Sequence, residues 1–268
     1  MRCLIVFIAL ALGAMSALAG ETAWQEVAPG VSIRLISTGE VREGRALVGL
    51  EIDMPESTKT YWRVPGETGI PTQIDIVGSQ GIVGHEVLWP YPTIDTASGY
   101  VDYAYFGPTV LPVELQLGEA GAANLQLSAI LGICEEVCIP VDVAFELPLG
   151  SGAPDRANGL RIRQAVALAP LAWEGDVPVG AIRYDAGSSS ILMELASDEI
   201  DPASLIGALP GGMPLLGPPE VDASGTTVRL PLIGNGAAAK SAELTGQPID
   251  FVFLTDDGAF SLTSHIGH

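Results

Sequence analysis

The chain has 268 residues, 48% hydrophobic and only 16% charged, which is enough apolar side chain for two cores and far from the composition of a disordered chain. Twelve Lys and Arg against 32 Asp and Glu leave a net charge of −20. That balance excludes a nucleic-acid partner and disfavours an anionic membrane surface, since binding to either rests on cations that neutralise phosphates.

Residues 1–19 carry Arg2, an apolar run from Leu4 to Leu12 and the small-residue ending Ala17-Leu18-Ala19. This is the pattern of a signal peptide cleaved after Ala19, with an uncleaved N-terminal anchor as the alternative. Cleavage discards Cys3, and export places the mature chain in a compartment where disulfides form and persist.

From Val31 to Leu149, short runs rich in β-branched and aromatic residues are punctuated by Gly and Pro. They are VSIRLIS from Val31, RALVGLEIDM from Arg45, TYWRV from Thr60, QIDIVGS from Gln73, HEVLWP from His85, TVLPVELQL from Thr109, NLQLSAILGI from Asn124 and VDVAFELPL from Val141. Such spacing predicts an antiparallel sandwich, with Pro112 marking an edge strand or a bulge. Between Gly150 and Pro170, Asp155 is placed to cap a helix running through Leu160, Ile162, Ala165 and Leu168.

Strand grammar resumes with VGAIRYD from Val179, SILMELA from Ser190, TTVRLPLIG from Thr226 and a terminal hairpin that turns at Asp257-Gly258. The expected architecture is all-β. Two antiparallel β-sandwich domains, residues 20–150 and 171–268, are joined by a helical linker over 151–170.

The chemistry concentrates in GICEEVCIPV, where Cys134 and Cys138 stand four apart before Pro140. No other mature cysteine is available within the monomer, so the two are expected to pair, and the chain must turn between them. Spacing alone leaves a redox centre, a structural clip and a metal ligand pair open. A loop this short gives a clip only about 2 kcal/mol. Glu135 and Glu136, between the sulfurs, disfavour a thiolate and point to a passive exchange partner that a more reactive thiolate attacks.

KTYWRVPGETGIPTQIDIVGS from Lys59, EVLWPYP from Glu86, the stretch from Gly99 to Val113 and GICEEVCIPV from Gly132 together resemble one family. It is the N-terminal periplasmic domain family of the thiol:disulfide interchange protein DsbD, and more closely its ScsB-type relatives associated with copper tolerance. The resemblance implies an immunoglobulin-like fold for the first domain and a related second β domain. It also implies a thiol-disulfide oxidoreductase component in which Cys134 and Cys138 shuttle between dithiol and disulfide. The implied partners are periplasmic thioredoxin-like or disulfide isomerase proteins. Because these 268 residues contain no multi-helix membrane segment, a separate membrane electron-transfer protein is expected to supply the electrons.

Tyr61, Trp62, Tyr103, Tyr105 and Phe106 are candidates to line or cap the redox loop, the alternative being that strand aromatics fill the core. His85, His265 and His268 form no HxH or HxxxH pattern, so no built metal site and no cofactor beyond the disulfide are expected. Binding of Cu(I) to the reduced pair is the one metal option. GxSxG is absent, and GSQGIVG from Gly78 lacks the P-loop lysine, so hydrolase and nucleotide readings find no support.

Overall fold

The computed structural model describes residues 20–118, 123–150, 153–234 and 241–267; the signal-peptide reading, Cys3 and His268 fall outside them. The first strands are β1 (Gln25–Ala28), β2 (Val31–Arg42), β3 (Arg45–Asp53), β4 (Lys59–Gly66), β5 (Gln73–Asp75) and β6 (Ile82–Val87). They continue as β7 (Thr93–Asp95), β8 (Asp102–Phe106), β9 (Thr109–Leu117), β10 (Ala123–Cys134) and β11 (Cys138–Leu149), followed by helix α1 (Arg156–Ala167). The remainder holds β12 (Leu171–Ala172), β13 (Val179–Asp185), β14 (Ser190–Leu195), β15 (Ile206–Ala208), β16 (Leu215–Leu216), β17 (Glu220–Val221) and β18 (Thr227–Ile233). Helix α2 (Ser241–Leu244), β19 (Pro248–Thr255) and β20 (Gly258–His265) complete it. The chain is therefore mostly β, and its strand pairings are antiparallel apart from β12 with β20. Among the described residues no helix is long and apolar enough to cross a membrane.

Period-two alternation builds the first half. In β10 and β11 the pairs Leu125–Leu147, Leu127–Phe145, Ala129–Val143 and Leu131–Val141 face inward, while Gln126, Ser128, Asp142 and Glu146 face out. Their inward face belongs to the sheet ordered β11-β10-β4-β8-β7. It packs on Ile33, Leu35, Val48, Leu50, Leu111, Val113 and Leu115 of the sheet ordered β1-β2-β3-β9-β6. Each such side chain taken fully from water contributes about 1.5–3 kcal/mol.

Pro112 does not mark an edge: β9 lies between β3 and β6. The proline is tolerated because the β6 ladder ends at Val87–Val113, and the Pro112 carbonyl still accepts from the Leu88 N–H. Asp155 caps α1 as the sequence predicts, accepting from the Asn158 N–H, and the helix buries Ile162 against β2, β3 and β9.

The second half has its own cluster around Ile191, Met193, Leu230, Phe251 and Phe253. The first core nevertheless reaches into it, taking in Ile206, Ala208 and Val252. Across the same seam the Tyr103 hydroxyl donates to the Leu216 carbonyl at 2.7 Å, Tyr91 donates to the Ser204 carbonyl, and Arg63 meets Asp250 at 3.2 Å. In the last hairpin Thr255 pairs with Gly258, so the turn falls on Asp256-Asp257, one residue earlier than the Asp-Gly signal suggests.

Candidate functional site

Cys134 ends β10 and Cys138 opens β11, and the ladder pairs them directly across the turn Glu135-Glu136-Val137. Four residues along a straight strand would separate them by roughly 13 Å. The hairpin brings their Cα atoms to 4.1 Å and the sulfurs are bonded.

Along β10 the outward residues Gln126, Ser128 and Ile130 are exposed, yet Gly132 and Cys134, on the same face, are buried. The cover comes from β4 and the segment that follows it. Lys59 pairs with Cys134 on one side and with Phe106 of β8 on the other, so one row across the sheet reads Phe106, Lys59, Cys134, Cys138. Two residues on, Tyr61 is fully buried and lays its ring over Gly132, where a Cβ would come within 3.0 Å of Cδ2. Gly69 lies against the other edge of the ring, where a Cβ would come within 2.4 Å of Cδ1. Held between these two glycines, the Tyr61 hydroxyl stands 3.0 Å from Cys134 Sγ and 3.2 Å from Cys138 Sγ. Bonded sulfurs carry no hydrogen, so the phenol donates. Gly69→Ala is expected to push the ring off the sulfurs at a cost of about 1–3 kcal/mol, read as a lowered denaturation midpoint with an altered rate of disulfide reduction.

Behind the phenol lies a charge cluster. Lys59 Nζ donates to Asp95 Oδ2 at 2.7 Å and to Asp102 Oδ2 at 2.8 Å, and the Asp102 side chain is 1% exposed. Asp102 also accepts from the Thr68 N–H at 3.0 Å and the Thr68 hydroxyl at 2.6 Å, which ties the segment carrying Gly69 to β8. Burial works against the Lys59 ammonium, but its hydrogen bonds to Asp102 and Asp95 hold its pKa above the ordinary lysine value. Burial likewise opposes the Asp95 carboxylate, and the Lys59 hydrogen bond and the Ala97 N–H hold its pKa below the usual range. Burial and the Asp102 charge raise the Tyr61 pKa, with Lys59 pulling the other way, so at neutral pH the phenol keeps its proton.

The aromatic candidates divide by face. Tyr61 meets the disulfide, and Phe106, 39% exposed, stands in the cysteine row with the Lys59 ammonium 5.9 Å from its ring. Trp62, Tyr103 and Tyr105 point the opposite way, into the core: Trp62 and Tyr103 make an edge contact at 6.1 Å, and the Tyr105 hydroxyl donates to the Pro90 carbonyl. Glu135 and Glu136 are exposed on the turn, where Glu135 accepts from the Ser57 hydroxyl at 2.7 Å. Lys59, Thr68, Gly69, Asp95 and Asp102 are not among the residues that the sequence marks as site candidates. The one hint was scarcity, since Lys59 is one of only two lysines in the chain. Among the described residues no group of three or more His, Cys, Asp or Glu is arranged to hold a metal ion.

Residues 34–149 match the family model described as thiol:disulfide interchange protein DsbD, N-terminal. Over this stretch the chain is similar to the DsbD N-terminal domain family. The Cys134–Cys138 hairpin, Tyr61 and the Lys59 cluster all lie within the DsbD N-terminal match. No curated protein matches the chain. Among solved structures, the fold is similar to the N-terminal periplasmic domain of ScsB from Proteus mirabilis, with a TM-score of 0.71 and 24% identity over 93% of this chain and 99% of that one. The structural similarity thus extends well beyond the DsbD N-terminal segment into the second half.

Proposed function

We propose that the protein is a periplasmic thiol-disulfide exchange protein whose working group is the Cys134–Cys138 disulfide. In this reading residues 20–150 and 171–268 are two immunoglobulin-like domains, and residues 1–19 are a signal peptide. Electrons enter from a dithiol donor coupled to a membrane electron-transfer protein. They leave to the disulfide of a periplasmic acceptor of the thioredoxin-like or disulfide isomerase kind. The match of residues 34–149 to the DsbD N-terminal family model supports this assignment, as does the likeness to a periplasmic ScsB domain.

The observation that carries it is the placement of the bond. It closes a three-residue turn between strands that are already paired along twelve positions, so it adds little to the fold. It sits instead beside a buried phenol that reaches both sulfurs. Cys134 is 1% exposed, whereas Cys138 is only half-buried and opens the edge strand β11, so Cys138 is the sulfur a partner reaches. A donor thiolate attacks Cys138 Sγ, forming a mixed disulfide, and the Cys134 sulfur leaves with the electron pair and takes up a proton. A second donor thiolate attacks the donor sulfur of the mixed disulfide, and Cys138 leaves and is protonated. The donor is oxidised to a disulfide and the pair gains two electrons; the same steps reversed reduce the acceptor.

The test is the redox equilibrium of the mature protein against glutathione or dithiothreitol buffers, read by thiol alkylation and mass. A midpoint between about −120 and −270 mV is expected. A bond that stays oxidised until the protein unfolds overturns the reading and leaves a noncatalytic module with a structural disulfide.

A further inference from the structure

The surface around the reachable sulfur has a composition of its own. Val137, in the turn between the cysteines, is 73% exposed; Phe106 is 39% exposed and Ile130 40%. Phe106 stands in the cysteine row, and Ile130 lies on the outer face of β10, four residues before Cys134. Exposed apolar side chains on the sheet face and turn that carry a reactive group mark a contact surface better than any one of them would alone.

The charges interleaved with them share one sign. Glu135 and Glu136 are exposed between the two sulfurs, and Asp142 is exposed on the outer face of β11, paired with Ile130. Glu56 lies against Gly107, the residue after Phe106, so closely that a Cβ there would meet its Oε2 at 2.5 Å. The basic residue that the register brings beside the disulfide is Lys59, and Asp95 and Asp102 already neutralise it. An attacking thiolate is itself an anion. Here it meets a field of its own sign unless its carrier brings compensating cations.

Resting on the exchange reading above, we infer that this face selects its partner by charge and apolar contact. The protein thiol that attacks Cys138 is carried on a surface with an apolar centre and a rim of lysine or arginine. Glu56, Glu135, Glu136 and Asp142 meet that rim, and Val137 and Phe106 meet its centre. The acidic rim speeds encounter, while the apolar side chains prolong contact.

Three short peptide thiols test this on the oxidised protein: Lys-Leu-Cys-Leu-Lys, Glu-Leu-Cys-Leu-Glu and Lys-Ser-Cys-Ser-Lys. Each rate of disulfide reduction is divided by that peptide's rate on the small neutral disulfide of 2-mercaptoethanol, which cancels differences in thiol reactivity. At about 10 mM ionic strength the lysine-leucine peptide is expected to lead the glutamate peptide about tenfold, with the gap closing by about 0.5 M salt. It is expected to lead the serine peptide about threefold at either salt. E135K/E136K is expected to remove or invert the charge preference. Equal normalised rates within either pair overturn the inference while leaving exchange intact. A disulfide that none of the peptides reduces in the native protein, but all reduce after unfolding, overturns the exchange reading itself.

Discussion

Cys138→Ser is expected to abolish thiol exchange, while Cys134→Ser leaves a protein that starts the reaction and stops at the mixed disulfide. The asymmetry follows from burial. In Cys134→Ser the remaining sulfur is half-buried at the mouth of an edge strand, whereas in Cys138→Ser the remaining sulfur is 1% exposed beneath Tyr61 and the segment carrying Gly69. Alkylation by iodoacetamide in the native state is expected to run at least about tenfold slower for Cys134 in Cys138→Ser than for Cys138 in Cys134→Ser, since burial limits access. Neither change is expected to cost more than about 2 kcal/mol of stability, because the bond closes so short a loop. Equal alkylation rates, or unfolding of either variant at ambient temperature, contradict this account.

Lys59→Met is expected to be far more damaging to the fold, at about 3–5 kcal/mol in denaturant titration, because removing one partner leaves buried charge unmatched. Asp95 and Asp102 are paired across β7 and β8, and without the ammonium two carboxylates confront each other, one of them with a side chain only 1% exposed. Restoring neutrality with Asp95→Asn and Asp102→Asn in the same chain is expected to recover much of the loss. The pH dependence has a definite sign. Lys59 has a folded pKa above its ordinary 10.5, so its contribution is complete below that value and is lost as pH rises through the folded pKa. Asp95 has a folded pKa below its ordinary 3.8, so its contribution is present above that value and is lost as pH falls through the folded pKa. The stability gap between wild type and Lys59→Met is therefore expected to be flat from about pH 5 to about pH 9 and to narrow on both sides.

The alternating strands were legible because each apolar residue in VSIRLIS or VDVAFELPL declares its face by its neighbours. TYW and DYAYF do not declare theirs. With aromatic residues at adjacent positions, composition could not say that Tyr61 turns to the sulfurs and Trp62 to the core, or that Tyr103 and Tyr105 are strand residues of β8 facing inward. The cysteine hairpin was readable from four-residue spacing and the need for a turn. The Lys59 cluster was not, because Asp95 lies 36 residues away and Asp102 43, and only the pairing of β4, β7 and β8 brings them together. Gly69 carried no signal either, since its role is to leave room for a ring eight residues earlier in the chain.

β8 has a different neighbour on each side. Ala104 faces outward against Tyr61 and the sulfurs, while Tyr103 faces inward and donates to the Leu216 carbonyl of the second half. One five-residue strand is thus a floor beneath the disulfide and a tenon in the joint with the C-terminal half. The second half is buttress rather than passenger: by holding Tyr103 it braces the rail on which Lys59 and Tyr61 are registered beside the disulfide.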